Sequence, residues 1–82
     1  MTIDDLAHLA LHLTASGLRS VALSPPRVRR DLQMELKEDV MALVMQRPDG
    51  ELTVLLWRVD GRHTREVLQL PGNHPVADML PR

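Results

Sequence analysis

The stretch "RVRRDLQMELKED", residues 27–39, decides the fold, because two periods run through it at once. Val28, Leu32, Leu36 and Val40 recur every four residues, which is the spacing of a helical stripe. Leu32, Met34 and Leu36 also alternate with Asp31, Gln33, Glu35 and Lys37, which is the spacing of a strand buried on one face. Propensity favours a helix, since almost nothing in the stretch is β-branched. Charge placement favours a strand. A helix over 27–39 would begin with Arg27, Arg29 and Arg30 and end with Glu38 and Asp39. That opposes the helix dipole at both ends, at ~0.3–1 kcal/mol per exposed charge. Turn signals at Glu38-Asp39, "PDG" (48–50), "DG" (60–61) and "PG" (71–72) fall at the intervals of a β-meander. The stretch is therefore expected to be a strand, with a helix as the alternative.

Upstream, residues 3–15 read as a helix. Thr2 suits the N-cap, Asp4 and Asp5 suit the first turn, and Gly17 supplies the stop. Leu6, Leu9, Ala10 and Leu13 keep the helical period, and Ala7 and Leu11 widen the apolar face. The polar stripe is narrow, so the helix should be buried around much of its circumference. Residues 18–24 read as a short strand, interrupted by Pro25 and Pro26. Downstream, residues 40–46, 51–59 and 63–70 read as three strands joined by the hairpins "RPDGE" and "VDGR". Pro75 can open a short helical turn that gathers Val76, Met79 and Leu80. The expected fold is α+β: an N-terminal helix packed on a largely antiparallel meander of four to five strands, with a short C-terminal helical turn. Residues 1–72 are expected to form a single domain and 73–82 a tail.

The strands at 40–45 and 52–59 are apolar on both alternating faces, so both faces must be covered. The first helix covers one. If 28–37 is a strand, little chain remains for the other, and a homodimer through a sheet face or edge follows. If 27–38 is a helix, it covers that face itself and a monomer suffices.

Composition narrows the functional classes. The 82 residues contain no cysteine, which excludes disulfides and thiolate metal sites and fits a cytoplasmic setting. A formal net charge of −1 offers no bulk attraction to nucleic acid or to an anionic membrane. No apolar run approaches the roughly 20 residues needed to span a bilayer, and the acidic start does not resemble a secretory signal. Trp57 is the only aromatic, so stacking on single-stranded nucleic acid is disfavoured. The serines lie in no nucleophile-elbow context, and the four glycines form no phosphate loop. No cofactor is implied.

Three groups of residues remain as candidates. Trp57, Leu55, Met41 and Met45 can form an interface or partner-binding surface, although apolar strand residues more often pack a core. Arg27, Arg29 and Arg30 can clamp an oxyanion or an acidic partner, or pair with nearby carboxylates. Asp4, His8 and His12, spaced four apart, share a helical face and can reach one metal ion. The glutamate base of an H-E-x-x-H site is missing, and an exposed stripe explains the same spacing. The expectation is a small non-enzymatic interaction, regulatory or adaptor module acting as a homodimer with a further protein partner. A nucleic-acid-binding regulator using Arg27–Arg30 and a small metal-binding protein using His8 and His12 are the alternatives.

Overall fold

A computed structural model describes residues 2–35, 38–59 and 65–81, with Arg65 described by its backbone alone. The elements run α1 (Ile3–Ala15), β1 (Ser20–Leu23), α2 (Pro25–Asp31), β2 (Val40–Gln46), β3 (Leu52–Arg58), β4 (Arg65–Leu70) and a 3-10 helix (Pro75–Met79). The four strands form one antiparallel sheet in the order β1-β2-β3-β4, a meander with every neighbour adjacent in sequence. The N-terminal helix on an antiparallel meander, with a short C-terminal helical turn, is the architecture expected from the sequence.

The expected strand over 27–39 is not formed. The chain instead makes α2, which starts earlier than the arginines suggest. Ser24 is the N-cap residue, and Pro25 and Pro26 occupy the first helical positions. There the missing amide costs nothing and the fixed φ favours the helix. Because α2 ends at Asp31, Arg29 and Arg30 fall in its last turn, where cations suit the dipole. Gln33, at φ +53°, lies just beyond the C-cap residue Leu32 and turns the chain out of the helix. The apolar and polar alternation of 32–35 belongs to neither a helix nor a strand.

α1 carries a complete capping box. The Asp5 amide donates to the Thr2 hydroxyl at 3.2 Å, and the Thr2 amide donates to the Asp5 carboxylate at 3.0 Å. Its buried residues Leu6 and Ala10, with Leu13, pack on Ala22, Met41, Leu43 and Met45. On the opposite face of the sheet, Val28 and Leu32 join Val76 and Leu80 over Leu23, Ala42, Val44, Leu52, Val54 and Leu56. Residues 73–81 are thus built into this core through Val76 and Leu80. The second face of the sheet is covered from within the chain, by α2 and the 3-10 helix, so the argument for a dimer from a bare second face falls away. His63 and the residues 60–62 of the expected "VDGR" hairpin lie outside the described residues, as do Leu36 and Lys37.

Candidate interaction surface

The two faces are not covered equally. α1 lies over β1 and the neighbouring part of β2. The register carries its face outward across the sheet: Met41 opposes Trp57, Leu43 opposes Leu55, and Leu55 opposes Val67. Met41 and Leu43 are buried under α1, Leu55 and Trp57 are half-buried, and Val67 is 48% exposed. Leu9 on α1 is also exposed, at 36%. The result is an apolar strip of Leu55, Trp57 and Val67 that runs from beneath α1 to the edge of the sheet.

Of the four apolar residues expected at an interface, Trp57 and Leu55 lie in this strip. Met41 is a core residue and Met45 is half-buried beside it. Val67 was not among the expected residues. Its alternation with Glu66 and Leu68 marks it as facing away from Leu68, but only the β3–β4 register places it opposite Leu55.

The arginine cluster on α2 is matched with carboxylates. Arg27 Nε lies 3.7 Å from Asp31, Arg30 Nε lies 3.0 Å from the same residue, and Arg29 pairs with Asp39. The Arg30 guanidinium holds the Asp31 carboxyl below its ordinary range, and Asp31 in turn raises Arg30. Arg27 also reaches the Met79 sulfur of the 3-10 helix at 3.4 Å. The three arginines thus share two carboxylates, Asp31 within α2 and Asp39 beyond it, and Arg27 ties α2 to the 3-10 helix. A cavity of about 400 Å³ bordered by Gly17, Arg19, Gln46 and Arg47 is likewise tied internally. Arg19 donates to the Pro81 carbonyl and to Gln46, and Arg47 pairs with Asp49 at 2.7 Å.

Asp4, His8 and His12 stand on the exposed side of α1. Among the described residues, no group of three histidine or carboxylate side chains is gathered as a metal site. A catalytic zinc ordinarily takes three protein ligands. No described helix is long and apolar enough to cross a membrane. Compared with known proteins, the chain matches no family model, no curated protein and no solved structure.

Proposed function

We propose that this chain is a non-enzymatic protein-interaction module, a small cytoplasmic regulator or adaptor that works as a homodimer. The observation that carries the reading is the strip of Leu55, Trp57 and Val67, half-buried at the first two and exposed at Val67, because α1 covers only part of this face. An apolar strip that reaches the edge strand is a cost to an isolated chain and an asset to one that meets a partner. The matched arginines count against a nucleic-acid regulator. The two lone histidines give a metal protein little support.

Sedimentation equilibrium at micromolar concentration tests the reading. The expected result is a mass near twice the 9.3 kDa of the chain. Val67→Asp, at an exposed position, should return the mass to that of one chain with an unchanged circular dichroism spectrum. A wild-type mass of one chain throughout the range overturns the reading.

A further inference from the structure

The two edges of the sheet are treated differently by the rest of the chain. At β1, the Arg19 carbonyl accepts from Gln46 on β2. Backbone groups alternate in direction along a strand, so those of Ser20 point away from β2. The Thr14 hydroxyl of α1 meets both of them, accepting from the Ser20 amide at 3.1 Å and donating to the Ser20 carbonyl at 3.2 Å. β1 is also only four residues long, and after Ser24 the chain turns into α2 at Pro25. Short length, proline and a covering side chain are standard ways of blunting an edge.

β4 is longer, at six residues, and although Pro71 follows it directly, among the described residues no side chain closes its outer backbone groups as Thr14 closes those of Ser20. The hydrogen bonds that extend the β2–β3 ladder, Arg47 to Glu51 and Val59 to Asp39, join odd-numbered residues. Odd residues of β3 therefore spend their backbone groups on β2, and even ones on β4. Through the pairs Leu52–Leu70, Val54–Leu68 and Leu56–Glu66, β4 meets β3 with its even residues. The amides and carbonyls of Arg65, Val67 and Gln69 are left facing outward. Among the described residues, no turn, loop or cap bond reaches them. The strand runs through all six residues with an unbroken register, and it contains neither proline nor lysine.

We infer that β4 pairs antiparallel with β4 of a second copy of this chain, on a two-fold axis through Val67. This rests on the self-associating reading above and gives its geometry. In this register Val67 faces Val67 of the second copy, Arg65 faces its Gln69, and Gln69 faces its Arg65. Each of these three pairs exchanges two hydrogen bonds, so all three outward-facing residues are satisfied. Glu66 falls opposite Leu68, so no like charges meet. Sliding the pairing by one step in one direction sets Glu66 directly against Glu66, which like-charge repulsion disfavours. Sliding it the other way sets Arg65 against Pro71, which has no amide to donate. The chosen register joins the two sheets into one of eight strands. It also brings the two apolar strips together side by side, since Val67 is their common margin.

Amide hydrogen exchange followed by NMR, alongside sedimentation of the same samples, tests this directly. The expected result is a doubled mass and slowed exchange at Arg65, Val67 and Gln69 as concentration rises. Exchange at Glu66, Leu68 and Leu70, already bonded within the chain, should change far less. A doubled mass with Arg65, Val67 and Gln69 still exchanging as they do on dilution overturns the edge pairing. It would leave association through the open faces of the strips. A mass of one chain at every concentration overturns both readings. Val67→Lys sets two lysines together on the axis, so a doubled mass that survives this substitution also rejects the register. Its fold is checked by an unchanged circular dichroism spectrum at dilution.

Discussion

The Thr14 hydroxyl closes both backbone groups of Ser20, at 3.1 Å from its amide and 3.2 Å from its carbonyl. Ser20 is buried, so these groups have little water to fall back on. Thr14→Val keeps the shape and removes both bonds. It should cost about 1–3 kcal/mol in urea unfolding, the usual penalty for unpaired buried groups. Thr14→Ser should recover most of that loss. If Thr14→Val unfolds with the wild-type midpoint, the pairing contributes nothing to the β1 edge.

A Cβ added at Gly72 would stand 2.4 Å from the Gly50 carbonyl oxygen, which is backbone and has little room to yield. Gly72→Ala should therefore separate the β2–β3 hairpin from the turn after β4, with a loss of about 1–3 kcal/mol. Gly17 provides the comparison. It has φ +96° and nothing within 4 Å of an added Cβ, so Gly17→Ala meets backbone strain alone. It should still destabilise, by about 1 kcal/mol. Equal melting temperatures for Gly72→Ala and wild type would show that the hairpin can shift.

Leu6 is fully buried on α1, whereas Leu11, on the same helix, is 69% exposed. Leu6→Ala should cost about 2–5 kcal/mol, and Leu11→Ala should stay within about 0.5 kcal/mol of wild type. Trp57 is half-buried, so Trp57→Ala should fall below the ~3–5 kcal/mol expected of a fully buried aromatic. Chemical unfolding of the three variants checks the order. A Leu11→Ala loss as large as that of Leu6→Ala would mean that the outer side of α1 is covered.

The Thr2 amide, donating to the Asp5 carboxylate, holds the Asp5 carboxyl below its ordinary value. Arg30 does the same for Asp31. A carboxyl whose pKa is depressed by folding adds stability above its unfolded value, near pH 4, and loses it as the pH falls through its folded value. The contribution of these two carboxyls should therefore be constant above about pH 4–5 and decline below that. Asp5→Asn and Asp31→Asn should each lower stability at pH 7 and flatten the acid limb. Thermal melts across the acid range measure this, and an acid limb unchanged in both variants would reject the assignment.

Much of the fold is legible in local sequence. α1 is bounded as its N-cap, acidic first turn and Gly17 imply. All four strands lie within their expected stretches, with residues 63 and 64 of the last stretch outside the described residues. The turn after "PG" and the helix opened by Pro75 are likewise written in single residues. The misreading of 27–39 has a specific cause. Pro25 and Pro26 read as a break in a strand, yet they are the first turn of α2, and moving the start of the helix back reverses the dipole argument about the arginines. The candidate surface was half legible. Leu55 and Trp57 stand out from the two-sided pattern, but nothing in the pattern separates them from Met41.

The sequence by itself determined the element types outside residues 25–39, the largely antiparallel order of the strands and the need to cover both faces of the middle strands. Periodicity, caps and turn residues act over a few neighbours, so they are readable in a line of letters. Tertiary structure alone decided what covers each face and how far. α2 and the 3-10 helix close one side, while α1 stops over β1 and β2 and leaves Leu55 and Trp57 half-buried and Val67 exposed. It also decided that Thr14 closes the backbone of Ser20 at one edge while Arg65, Val67 and Gln69 turn their backbone groups outward at the other. Both outcomes depend on register and on where a helix comes to rest on a sheet. Those are relations between residues far apart in the chain, and no local pattern carries them.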